Sequence, residues 1–118
     1  MQLGNTGLQF GQGVWFSGSI LTNPTDGTVL VDTGPLEKGN YLMAFMGAGS
    51  VAWVYDIEQR NAANNGNVDS QRRRPAAGNE DAVFGSKVNL AENERIRCLL
   101  VGNITGQVQM SIFVAEVG

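Results

Sequence analysis

The sequence contains no histidine, a single cysteine and only two lysines among its 118 residues. Without histidine, imidazole acid–base catalysis, Ser-His-Asp and Cys-His nucleophiles and histidine-ligated metal sites are excluded, and so is the metal-binding cupin type of β-sandwich. Cys98 cannot form an internal disulfide, and its place on the apolar side of a predicted strand indicates a small buried hydrophobe. We therefore expect a protein with no bound metal and no cofactor.

Long apolar runs are also missing: none approaches the roughly 20 residues that a membrane-spanning helix needs. The first residues carry no basic side chain and no apolar core segment, so no signal peptide is visible. The net charge of −3 provides no general attraction to nucleic acid or to an anionic membrane. We expect a protein that is made in a cytoplasm and binds neither a membrane nor nucleic acid.

Glycine and apolar residues are abundant, with 16 glycines and a hydrophobic share of 42%. The length suits one domain, and the apolar share is sufficient for one core without disulfides or metals. Many glycines and few charges indicate short strands joined by tight turns, which favours an all-β fold.

The C-terminal part of the chain shows the clearest strand pattern. Within 107–117, every second residue is apolar, which is typical of a strand with one buried face. The run 95–101 repeats this alternation, and the glycine-bracketed link 102–106 predicts an antiparallel hairpin between the two. The residues predicted to face the core are Val108, Met110, Ile112 and Val114 in the last run and Ile96, Cys98 and Leu100 in the run before it.

Further strands are predicted in the first half of the chain. They cover residues 14–21, 28–31, 38–46 and 51–58, and the segments 23–27, 32–35 and 47–50 are predicted turns or loops. In 51–58 the residues Val51, Trp53, Tyr55 and Ile57 share one face. Six or seven short strands predict an antiparallel β-sandwich, most simply of jelly-roll type.

Two segments do not fit the strand pattern. Residues 1–13 contain glycines without any regular period and predict an extended arm, so that the sandwich domain covers 14–118. Residues 61–81 predict a long ordered loop inserted in the sandwich, and such loops are often functional. The loop carries Arg72, Arg73 and Arg74, which either pair with the acidic residues beside them (Asp69, Glu80 and Asp81) or grip a partner. In the second interpretation the arm helps through Leu3, Leu8 and Phe10.

Catalytic carboxylates are not indicated by the pattern. The pairs Glu80-Asp81 and Glu92/Glu94 resemble the two acids of a glycoside hydrolase, but surface carboxylates of this kind occur by chance in most chains. With no activated nucleophile in sight, we expect no enzymatic activity.

Three stretches carry a family resemblance: Ile57-Glu58-Gln59-Arg60-Asn61-Ala62-Ala63-Asn64, the run from Val88 to Arg97, and the strand from Gly106 to Glu116. Together, over roughly Tyr41 to Val117, the sequence resembles small jelly-roll virion proteins of tailed bacteriophages, of the capsid decoration or cement type. The resemblance implies a non-enzymatic homotrimer in the virion that contacts the major capsid protein or another virion protein. The arginine-rich loop and the glycine-rich arm depart from that family, which leaves a head decoration, a head fibre and a tail component all open.

A ligand-binding module is the alternative, namely a trimeric carbohydrate-binding or receptor-binding sandwich of a fibre or tail. In that case exposed aromatic rings would stack on a sugar. The candidates are Trp15, Phe16, Tyr41, Trp53 and Tyr55. Rings that point into the core favour the structural protein, whereas two coplanar exposed rings favour the sugar binder.

Overall fold

The computed structural model describes residues 13–76 and 80–117, which form nine β-strands. The strands are β1 (Val14–Ser17), β2 (Leu21–Thr22), β3 (Val29–Asp32), β4 (Gly39–Gly49), β5 (Val54–Arg60), β6 (Asn67–Arg73), β7 (Glu80–Leu90), β8 (Arg95–Val101) and β9 (Gln107–Val117). In these two ranges, no helix is long and apolar enough to span a bilayer.

The strands form two antiparallel sheets. The five-stranded sheet has the order β1-β9-β4-β7, with β2 also paired to β9, and the four-stranded sheet has the order β3-β8-β5-β6. Their inner faces enclose one cluster of buried apolar side chains. The predicted all-β, antiparallel jelly-roll sandwich is confirmed.

Strand β9 lies inside the five-stranded sheet, between β1 and β4. On one side Val14 to Ser17 pair with it, and on the other side ten residues of β4 do so. Val108, Met110 and Ile112 are at most 1% exposed, and Val114 is also buried. The predicted inner face of this strand is therefore confirmed. The same holds for Ile96, Cys98 and Leu100 in β8.

The predicted hairpin between 95–101 and 107–117 is wrong, because β8 and β9 belong to different sheets. The link between them crosses the end of the sandwich and is held by the turn 23–27. Asp26 accepts the Gly102 N–H through Oδ1 at 2.6 Å, and Asn23 accepts the Gly106 N–H at 2.8 Å. Alternation reveals which side chains face the core, but it does not reveal which strand is the neighbour.

The predicted loop 61–81 is also corrected, because strand β6 lies within it and β7 begins at Glu80. Strand β6 pairs with β5 at the edge of the four-stranded sheet. Its side chains are almost all exposed, so it lacks the apolar alternation by which strands are recognised. Strand β7 was missed as well. Strand β4 continues through Gly49, whereas the sequence predicted a loop from Gly47 onward.

Packing of Trp53 against the end of β4 explains the two glycines there. The indole stacks on the Tyr55 ring with centroids 4.7 Å apart, and both side chains are buried. A Cβ at Gly47 would lie 2.9 Å from the Trp53 ring, and one at Gly49 would lie 2.7 Å from it. These two glycines are therefore required by close packing inside a strand, not by a turn.

Cys98 lies at the centre of the core, fully buried. Burial raises the pKa of its thiol well above the usual range, with a smaller contribution from the nearby Glu58 carboxylate. The predicted role as a small hydrophobe is confirmed, since a thiol that stays protonated is a poor nucleophile.

Candidate functional site

Part of the outer face of the five-stranded sheet is apolar, although this face points away from the core. Directly opposed residues share one side of a sheet, and the register places Trp15, Phe113 and Ala44 in one row across β1, β9 and β4. Phe113 and Ala44 are almost completely buried, together with Ala115. The Trp15 ring lies 5.1 Å from the Phe113 ring and remains 50% exposed.

Phe84 extends this row onto β7. Val83 opposes the buried Phe45 and packs against the core, so its neighbour in the strand projects from the other side of the sheet. The Phe84 side chain is 62% exposed. It lies at an irregularity in the β4–β7 pairing, where Gly85 adopts a φ of 74°. A bulge of this kind re-aims a side chain at a sheet edge.

We call this surface the apolar face. Its members come from four strands and carry no formal charge. They are Trp15, Leu42, Ala44, Met46, Ala82, Phe84, Phe113 and Ala115.

A shallow hollow of about 200 Å³ lies on the apolar face beside Trp15. It is lined by Trp15, Met46, Gly47, Ala48, Gln109 and Ser111. The polar part of its wall is held in place, because the Gln109 side-chain amide donates to Gly18 O at 3.1 Å and to Ser111 Oγ at 3.0 Å. The hollow is thus a formed depression with one large aromatic wall.

The outer face of the four-stranded sheet carries more charge. Three cross-strand ion pairs lie on it: Arg72 with Asp56 at 2.8 Å, Arg95 with Asp32 at 3.4 Å, and Arg97 with Glu58 at 2.7 Å. Charges that are paired within one chain give this face little reason to be covered. The two outer faces therefore differ in the surface they offer to a partner.

The three consecutive arginines are separated by the structure. Arg72 forms a two-pronged pair with Asp56 across β5 and β6, and Arg73 forms one with Asp81 of β7. Arg74 is exposed and has no ion pair within the described ranges. The alternative in which the arginines pair within their own chain is thus confirmed for Arg73 with Asp81, whereas Asp56 was not among the expected partners. Of the other predicted contact residues, Leu3, Leu8 and Phe10 lie outside the described residues.

Arg73 and Asp81 connect the two sheets. The guanidinium contacts the carboxylate at 2.8 and 3.1 Å, and the Tyr55 hydroxyl donates to the same carboxylate at 2.6 Å. These contacts lower the pKa of Asp81, the Arg73 hydrogen bonds most strongly, although burial acts in the opposite direction. Burial and the bond to Asp81 raise the pKa of Tyr55 far above its usual range, so the phenol remains a donor. The arrangement is a clamp, not a free arginine arm.

The clamp makes stability pH-dependent. A carboxylate whose pKa is lowered by folding stabilises the native state above its ordinary pKa, near 3.8, and this contribution disappears as the pH falls through the folded value. We expect Asp81→Asn to cost about 1–3 kcal/mol at neutral pH, and the difference from wild type to shrink in acid. Urea denaturation at a series of pH values, from neutral to below 3.8, measures the cost at neutral pH and its decrease in acid.

Asp56→Asn is the matched control for the clamp, because Asp56 accepts a similar two-pronged arginine bond from the more exposed Arg72. It should cost little at neutral pH. An equal loss in both variants would show that Asp81 and Arg73 do not clamp the sheets.

The candidate catalytic carboxylates have structural roles where their side chains are described. Glu92 accepts the Lys38 N–H at 2.7 Å. Glu94 is buried and accepts the Ala91 N–H and the Gln59 amide. Nowhere in 13–76 and 80–117 do three potential metal-binding side chains of the His, Cys, Asp or Glu type come together.

The aromatic rings mostly point inward. Tyr41, Trp53 and Tyr55 are buried, Phe16 is partly buried against the core, and only Trp15 of the five candidates is half exposed. The stacked pair, Trp53 with Tyr55, is inaccessible. By the criterion set out from the sequence, this arrangement favours a structural protein over a module that stacks sugars on paired rings.

No protein-family model matches the sequence, and no curated protein matches it either. Solved structures of similar fold include two with TM-scores near 0.6. One is a carbohydrate-binding module, CBM4, with a TM-score of 0.61 and 13% identity over 83% of this chain and 70% of that one. The other is the globular domain of the zebrafish complement 1qA protein, with a TM-score of 0.59 and 9% identity over 88% and 97% of the two chains. At these identities the likeness shows the jelly-roll β-sandwich fold alone.

The apolar face was missed by the sequence reasoning, although a signal was present. Residues 41–46 of β4 are apolar without interruption, and so are residues 112–115 of β9. A continuous apolar run in a strand indicates that both of its faces are covered. The inner face accounts for Met43 and Phe45, and the apolar face accounts for Leu42, Ala44 and Met46.

Proposed function

We propose that the protein is a non-enzymatic structural protein that forms a homotrimer through the apolar face and coats a phage head as a decoration or cement protein. The observation that carries this proposal is the apolar face itself. Ala44, Phe113 and Ala115 are already buried, but Trp15 is 50% exposed and Phe84 is 62% exposed. Two exposed aromatic rings on one sheet face are unfavourable in water, and packing against another protein surface removes them from solvent.

A second copy of the chain suits this face because it presents both a knob and a hollow. The knob is Phe84 on β7. The hollow beside Trp15 is lined by residues of β1, β9 and β4, whereas the knob lies on β7. The ring of one copy can enter the hollow of the next copy. A head-to-tail contact of this kind gives a ring when the rotation closes.

The virion role and the number of three copies rest on the resemblance of the sequence to trimeric phage decoration proteins. For contact with the capsid we keep the side chains predicted from the sequence, but among the three arginines we now assign the main role to Arg74. Because Arg72 and Arg73 are bound within the chain, Arg74 is the arginine whose fork is available for the major capsid protein or another virion protein. Assembly on the particle would place the protein in the virion, after synthesis in the host cytoplasm.

Truncating the knob should break the trimer. We expect wild type to sediment as a trimer at micromolar concentration, and Phe84→Ser to weaken association at least about 30-fold, as for an interface hot spot worth 2 kcal/mol. Val68→Ser is the matched control, since Val68 is 53% exposed but lies on β6, in the other sheet. Sedimentation velocity over a concentration series measures all three proteins.

Two further measurements distinguish this interface from its alternatives. Association through the aromatic rings of the apolar face should weaken little with salt, whereas association through Arg72, Arg73 and Arg74 should weaken strongly. A mixture of Phe84→Ser with Met46→Arg, which blocks the hollow, should form heterodimers, because one intact knob and one intact hollow remain. A monomeric wild type, or a Phe84→Ser variant that trimerises normally, would overturn assembly through this face.

Attachment to the particle is tested separately. We expect purified protein to occupy empty capsids that lack it, and Arg74→Ala to lower that occupancy in a salt-sensitive manner while the trimer remains intact. If wild type formed a trimer but bound no capsid, the proposed trimer would stand and the decoration role would be refuted.

A further inference from the structure

A slot of about 300 Å³ opens between the two sheets, along the edge formed by β6 and β7. Each of these strands is the last in its sheet, so the side of the sandwich is open here. Cross-sheet bonds close both ends. The Arg73–Asp81–Tyr55 clamp lies at one end, and at the other the Gln59 amide donates to Asn89 O of β7 at 3.1 Å. The stretch between these bridges carries no cross-sheet bond of its own among the described residues.

Polar side chains occupy inward positions along this slot. Gln71 opposes Ile57, and Asp69 opposes Gln59, which itself opposes the buried Ile96. Ser86 opposes the buried Met43. Opposed residues share one side of a sheet, so these polar groups lie on the slot side of their strands, where Asp69 and Gln71 remain exposed to solvent.

Apolar residues form the floor of the slot. They are Phe45, Ile57, Val88 and Ile96. An apolar floor with a few convergent polar groups is the usual composition of a small-molecule site, and the volume lies at the lower end of the range for such sites. Lys87 also borders the slot, but its register opposite Leu42 places it on the outer side of the sheet.

The chemistry of the lining selects a neutral, hydroxylated ligand. Carboxamides and a hydroxyl group both donate and accept hydrogen bonds, and the Asp69 carboxylate accepts only. A sugar hydroxyl also does both, and the C–H face of a sugar ring can pack on the apolar floor. The Asp69 carboxylate in the lining of the slot disfavours an anion. We propose that this slot binds a single neutral sugar ring or a polyol of similar size, held by Asp69, Gln71 and Ser86.

This proposal goes beyond the structural role and does not depend on it, since the slot lies away from the apolar face. The test is a titration of ¹⁵N-labelled full-length protein with D-glucose, D-galactose, D-mannose and N-acetyl-D-glucosamine, followed by amide chemical shifts. We expect at least one sugar to give saturable shifts in the millimolar range, centred on residues 69–71 and 86–88.

Variants assign the binding to the slot. Asp69→Asn and Gln71→Ala should each weaken the affinity about 10-fold, as for one lost hydrogen bond left unreplaced. Ser86→Val, which fills the slot without touching β6, should act in the same direction. Val68→Ala is the control, because Val68 directly precedes Asp69 on β6 and is exposed but does not line the slot. Its affinity should equal that of wild type, and thermal unfolding of each variant checks that it is folded.

Three outcomes would overturn the proposal. One is the absence of saturable shifts with all four sugars. Another is a shift pattern centred on Trp15 and the hollow of the apolar face. The third is an affinity that Asp69→Asn, Gln71→Ala and Ser86→Val leave unchanged in folded protein.

Discussion

Replacing Ile112 with alanine should lower the free energy of unfolding by about 2–5 kcal/mol. Ile112 is 0% exposed and lies in the middle of β9, between Phe16 of β1 and Phe45 of β4. The truncation deletes methyl and methylene groups whose burial stabilises the folded state, and it leaves a cavity. The two flanking strands are fixed by their own hydrogen bonds, so the cavity can collapse only in part.

Ile20→Ala makes the same chemical change at a side chain that is 68% exposed, and it should cost little. Urea denaturation of the two variants, monitored by tryptophan fluorescence, compares them directly. If Ile20→Ala were the more destabilised variant, the register of β9 against its neighbours would be wrong.

Removing Arg97 should be the most costly change among the charged residues, at about 2–4 kcal/mol for Arg97→Ala. Arg97 pairs with Glu58 across β8 and β5, and their side chains are only 17% and 8% exposed. Without the guanidinium, the Glu58 carboxylate stays in the sheet with the Asn67 amide as its remaining side-chain donor. Most of the expected loss is the cost of that unpaired, buried charge, not the value of the pair itself.

A double variant separates these two contributions. Arg97→Leu combined with Glu58→Leu removes both charges, so it should be less destabilised than Arg97→Leu alone. The same denaturation experiment gives the coupling free energy of the four proteins in the cycle. A double variant that equals the sum of its single changes would show that the two side chains do not interact.

The core of the sandwich could be predicted from the sequence because a strand alternates its side chains strictly. Val108, Met110 and Ile112 were assigned to the inner face by that period alone, and Cys98 was assigned to it in the same manner. The absence of histidine and the scarcity of charge already limited the chemistry available to the chain. Local composition therefore determined the fold class, the inner faces of β8 and β9, and the inert character of the thiol.

Tertiary structure alone decided which strands are neighbours and what the arginines do. Strands β8 and β9 follow each other in sequence but lie in different sheets, since the link between them is held by residues of the distant turn 23–27. Strand β6 exists because β5 offers it an edge, not because its own residues show a pattern.

The same reason applies to the candidate sites. Arg73 meets Asp81 only because the edges of two sheets come together, and Phe84 shares a face with Trp15 only through two intervening strands. Periodicity is a property of one strand, whereas a site in a sandwich is composed of residues from several strands. Their relative positions depend on long-range pairing, which no local pattern encodes.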